Sequence, residues 1–184
     1  MTKQAGGACA LATVLLLAAA LMANAHPQPA GSAAGLREWF NSADFEAIRS
    51  PERVESLPVE SLADPSKDWK RGMKTSLPGS FRILPEPVPV DKDVAGDLAR
   101  LLLQPESYDP GYKPCIFEPG VTFRFWKSGR ALDVFICFHC EDLAFQVVGD
   151  EALGGKLSFG PIRPRLAQLV RKARPADSRF TQLK

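Results

Sequence analysis

The sequence predicts an α+β protein, an antiparallel sheet of four or five strands with helices on one face. Three observations carry this. Apolar residues alternate with others from Val121 to Phe138, broken once by the turn signal Lys127-Ser128-Gly129-Arg130. A further apolar run at 143–148 follows, so 121–148 reads as a three-stranded meander. Helix-spaced apolar stripes lie near 36–48, 91–103 and 163–173, outside the meander.

In chain order, residues 1–25 read as a secretory signal peptide. Lys3 gives a positive start, residues 10–22 an apolar run, and Ala23-Asn24-Ala25 a small-x-small cleavage site before His26. The apolar run falls short of the roughly 20 residues that span a bilayer. Cys9 precedes that run, which argues against a lipid-anchoring cysteine. No later run is long enough to cross a membrane, so no stable span is expected after cleavage. Residues 26–35, rich in Pro, Ala, Gly and Ser, read as a flexible mature N-terminus, and 36–184 as one globular domain.

Removing residues 1–25 from the 184 leaves 159, enough to bury a sizeable core. Lys3 is the only charge removed, so the formal net charge falls from +2 to +1. That balance gives no electrostatic footprint for nucleic acid or a membrane surface. The expected location is the periplasm or the extracellular space.

The first stripe, Leu36, Trp39, Phe40, Phe45 and Ile48, suggests two short helices joined at Asn41-Ser42 and ended by Pro51. Residues 52–62 alternate partly, and Pro58 suggests a short edge strand. Residues 64–79, with Trp69, read as loop, and 81–90 as extended, with three prolines. Asp91 is an N-cap for the clearest helix, whose apolar face is Val94, Leu98, Leu101 and Leu102. Residues 108–113 are a turn-rich link into the meander. Leu157 and Phe159 mark a short strand, and Ile162, Leu166, Leu169, Val170 and Ala173 a last amphipathic helix. Its basic residues Arg163, Arg165, Arg171, Lys172 and Arg174 read as a solvated face. Phe180 is a tether for the tail.

The candidate chemistry is concentrated in the meander. Cys115, Cys137 and Cys140 remain after cleavage, an odd number for an exported chain. If the strand after Gly120 pairs with the strand ending near Cys137, Cys115 approaches Cys137 or Cys140. Cys137 and His139, two apart on one strand, are expected to share a face, with Cys140 opposite or in the turn.

Four readings follow. One disulfide among Cys115, Cys137 and Cys140 leaves a spare thiol, as an oxidising compartment favours. Cys115, Cys137, His139 and Cys140 are ligand types that zinc takes, although their spacing is not that of a knuckle; no other cofactor is implied. Cys137-Phe138-His139-Cys140 has the CxxC spacing of a redox pair, but no helix start follows it. Cys137 with His139 as base and Asp133 as third group is a nucleophilic alternative. The carboxylates Glu118, Asp133, Glu141 and Asp142 read as solvated, and no phosphate loop, nucleophile elbow or metalloprotease helix is present.

Cys115, Pro119 and Gly120, then Ile136 to Cys140, form a C-x3-P-G … I-C-F-x-C pattern. This resembles a motif of small exported bacterial proteins of unknown function. The resemblance covers about a fifth of the chain and implies that the three cysteines act as one unit. It implies no activity. The sequence thus predicts a non-enzymatic, exported cell-envelope protein with a cysteine cross-link or small metal site. The alternatives are a thiol-dependent enzyme using Cys137, His139 and Cys140, and a partner-binding module with an apolar patch near Trp126 or Trp69.

Overall fold

The computed structural model describes residues 42–62, 81–109, 115–150 and 154–183. The expected signal peptide, flexible terminus, first half of the N-terminal stripe, Trp69 loop and most of the 108–113 link lie outside the described residues.

The sheet is antiparallel throughout and the α+β class is as expected. Its strands are β1 (Arg53–Ser61), β2 (Phe81–Ile83), β3 (Val88–Pro89), β4 (Val121–Lys127), β5 (Arg130–Cys137), β6 (Asp142–Val147) and β7 (Leu157–Ser158). The order is β2-β1-β4-β5-β6-β7, with β3 also on β1. Seven strands, against four or five expected, arise because β2 and β3 are too short to show a period; β7 is the short strand expected at Leu157. The helices are α1 (Ser42–Arg49), α2 (Lys92–Leu103), α3 (Arg163–Ala173) and α4 (Ser178–Thr181).

The meander forms as its pattern dictates. Val121 pairs with Ile136 and Lys127 with Arg130, leaving Ser128-Gly129 as a two-residue loop. Both loop residues have positive φ, 49° and 75°, the geometry whose twist matches a hairpin and which glycine tolerates without a Cβ clash. Asp91 caps α2, its Oδ1 accepting the Asp93 N–H at 2.9 Å. Past the end of α2, the Ser107 and Tyr108 hydroxyls donate to the Leu101 and Leu102 carbonyls, which have no partner inside the helix.

The expected edge strand at 52–62 is instead an inner strand, nine residues long, between β4 and the β2/β3 pair. Pro58 fits for a local reason. The Val59 N–H donates to Gly120 beside β4 at 3.1 Å, so Pro58 faces the opposite edge. There its carbonyl accepts the Leu84 N–H at 2.9 Å. Its missing donor falls where that edge passes from β3 to β2.

One sheet face carries Val54, Phe123, Phe125, Leu132, Val134, Ile136, Leu143 and Phe145, all buried against the helices. Leu98, Leu101 and Leu102 of α2, Leu166, Leu169 and Val170 of α3, and Ile48 of α1 complete this core. Phe180 on α4 is buried in it, the expected tether. The opposite face carries the cysteines.

The basic residues around α3 are not uniformly solvated, contrary to expectation. Arg174 is only 8 % exposed. Its Nη1 donates to the Ser56 carbonyl at 3.0 Å and the Glu86 carbonyl at 3.3 Å, and its Nε to Asp177 at 3.1 Å. The side chain thus adds a charged donor to Ser56, where β1 pairs with β3. Arg163 donates to the Phe138 carbonyl at 2.6 Å, and Arg171 to the Leu183 carbonyl. Arg165 and Lys172 are exposed as expected.

Candidate functional site: the cysteine-bearing sheet face

Alternation along the strands sends Val59, Phe135, Cys137 and Ala144 to the face away from the helices. A sheet face left apolar must be covered. The segment 115–120 covers it, bringing Phe117 down to 1 % exposure beside Phe81, with ring centroids 6.2 Å apart. Phe81 in turn lies 5.0 Å from Phe135.

A disulfide between Cys115 and Cys140 ties the start of this segment to the β5–β6 turn, with Cα atoms 5.7 Å apart. The other end is held by the sheet, the Gly120 N–H donating to the Ile136 carbonyl at 3.1 Å. Lys156 adds a contact to the Cys115 carbonyl at 3.4 Å and lies over the Phe117 ring at 5.4 Å.

Cys137 is the remaining thiol among the described residues, and it is buried. The Cys140 N–H donates to its sulfur at 3.4 Å. The backbones of Glu118 and His139 also lie beside it. Burial pushes the thiol above its ordinary pKa, these backbone groups oppose the rise, and the neighbouring Asp142 adds to it.

The expected Cys137–His139 face is not formed. Strand β5 ends at Cys137, so pleat alternation stops there and His139 is exposed in the turn. The turn, not a strand, decides where His139 points, and Glu141 closes it with φ 59°. Asp133 shares the face with Cys137 but is committed elsewhere. Its two carboxylate oxygens accept from Arg124 Nε and Nη2, both at 2.8 Å. Burial raises the Asp133 carboxyl and the Arg124 bonds oppose this; the same bonds raise Arg124. Asp133 and Asp142, expected as solvated, are both buried, because each sits mid-sheet across from a paired strand. Among the described residues no group of three or more His, Cys, Asp and Glu side chains is placed to hold a metal ion.

Beyond the cysteines the same face turns polar. Glu55, Arg124 and Asp133 stand opposite one another on β1, β4 and β5. Trp126 Nε1 donates to Glu55 at 2.7 Å, and Arg53 lies over the Trp126 ring at 4.3 Å. Trp126 is therefore a half-buried member of a charged row and not part of an exposed apolar patch, as the partner-binding reading expected. The sequence signal for the row was present: charges on alternating positions of three strands. Only the strand order aligns them.

The fold and this face define an α+β protein with a disulfide-clamped cover segment and one enclosed thiol. No protein-family model, curated protein or solved structure matches the chain. No helix among the described residues is long and apolar enough to cross a membrane.

Proposed function

We propose that the chain is a non-catalytic, exported protein of the cell envelope in which the Cys115–Cys140 bond is a structural cross-link. One observation carries the reading. Of the three cysteines past the signal-like segment, two are joined across a cover segment and the third is sealed beneath it. A nucleophile toward an outside substrate needs access and a base; Cys137 is 0 % exposed, and His139 lies outside its strand. A disulfide is at home in an oxidising compartment, which agrees with the signal-like residues 1–25. The resemblance of the cysteine pattern to that of small exported bacterial proteins agrees with this reading.

The test is the intact mass and N-terminal sequence of protein recovered from a bacterial periplasm, alkylated under denaturing conditions. A chain beginning at His26, two hydrogens light and with one alkylatable thiol, is the expected result. Three alkylatable thiols would overturn it. A metal carried in the native mass would then favour the zinc-type site. Thiol or ester turnover lost on Cys137→Ser would instead favour the enzyme.

A further inference from the structure

The three cysteines are more than a cross-link and a bystander. Cys137 and Cys140 stand three residues apart across one tight turn, and all three sulfur residues belong to the same apolar cluster with Phe117 and Phe135. The Cys140 N–H at 3.4 Å fixes Cys140 against the Cys137 sulfur. The turn between them is itself anchored, Arg163 holding the Phe138 carbonyl at 2.6 Å.

We infer that Cys137 is an exchange thiol: the disulfide can move from Cys115–Cys140 to Cys137–Cys140, and the thiol the protein then presents is that of Cys115. The step balances without an outside oxidant or reductant. The Cys137 thiol loses its proton, which ends on the departing Cys115 sulfur, and its own sulfur attacks the Cys140 sulfur. The Cys115–Cys140 bond breaks, and Cys115 leaves as a thiolate that takes up a proton. One disulfide and one thiol exist before and after. The Cys140 N–H donates to the Cys137 sulfur at 3.4 Å, the kind of bond that favours a transient thiolate. Against this, burial and the Asp142 carboxylate disfavour it, so exchange belongs on the slow scale of uncatalysed disulfide rearrangement, minutes to hours.

The consequence is local. Gly120 keeps its bonds to Ile136 and Val59, so the sheet does not change. Release is confined to the Cys115 end, where Cys115 is already half-buried and Ile116 is 45 % exposed. The freed thiol is placed to attack a disulfide of a second molecule, forming a mixed disulfide and releasing that molecule's other sulfur as a thiol.

This inference rests on the Cys115–Cys140 bond of the reading above, and the test separates the two. The oxidised native chain is held with iodoacetamide and no denaturant, quenched in acid, and mapped by non-reducing digestion. The expected result is label on Cys115 together with a Cys137–Cys140 disulfide, both lost in Cys137→Ser. Label on Cys137 alone, or none with Cys115–Cys140 intact, overturns the exchange and leaves the cross-link standing. A Cys115→Ser chain oxidised with oxidised glutathione gives an independent answer. A Cys137–Cys140 bond is expected; two thiols or two glutathione adducts on a chain with wild-type circular dichroism overturn the inference.

Discussion

Replacing Arg174 with Met tests the claim that a basic residue near the end of α3 is an internal strut. Met keeps most of the aliphatic stem, so the change removes hydrogen bonds more than packing. The Ser56 carbonyl, in a residue that is 0 % exposed, loses a charged donor at 3.0 Å, and a buried hydrogen bond to a charged group is worth about 1.5–3 kcal/mol. Glu86 is exposed, so its carbonyl can turn to water and adds little. Asp177 is not stranded, because Arg179 Nη2 still holds it at 2.6 Å. The full 3–5 kcal/mol of a broken buried ion pair therefore does not apply, and the expected loss is roughly 2–4 kcal/mol. The assay is urea unfolding followed by far-ultraviolet circular dichroism with the disulfide intact. The midpoint should fall with the slope unchanged. Arg165→Met, on an exposed position of the same helix, is the control and should change stability by less than about 0.5 kcal/mol. If the two variants behave alike, the strut argument is wrong.

Three further changes probe other parts of the fold. Thr122 is fully buried and its hydroxyl has no partner among the described residues, so Thr122→Val should stabilise by about 1 kcal/mol in the same unfolding experiment. The cystines lie 25 residues apart, so Cys115→Ser should cost about 3.5 kcal/mol by the loop-closure relation, read as a lower urea midpoint in the presence of reductant-free buffer. Asp177 is held down at about 2 from its ordinary 3.8, first by the Arg179 side chain, then with help from Arg174 against the opposing effect of burial. A depressed folded-state pKa gives stability that is complete above the unfolded value and is lost as pH falls through the folded one. The wild-type advantage over Asp177→Asn should therefore be steady above pH 5 and shrink between about pH 4 and 2, measured by thermal melts across that range.

Local patterns determined much of this protein. The β4–β5 hairpin followed from strict alternation around Ser128-Gly129, and α2 from Asp91 and its leucine stripe, because both depend on neighbours within a few residues. The grouping of the three cysteines was also legible, since a hairpin must bring its two ends to one edge. What the tertiary structure alone decided is who meets whom. Pro58 reads as an edge signal, yet the gap between β2 and β3 admits it to an inner strand. His139 reads as a face partner of Cys137, yet the strand ends at Cys137 and the turn carries the imidazole away. Arg174 reads as a surface charge and is an internal donor, because the carbonyl it serves lies 118 residues earlier in the chain. Periodicity reports which face a residue prefers. It carries no information on the distant backbone group that waits there, and that is where the buried Arg174 and the sealed Cys137 acquire their roles.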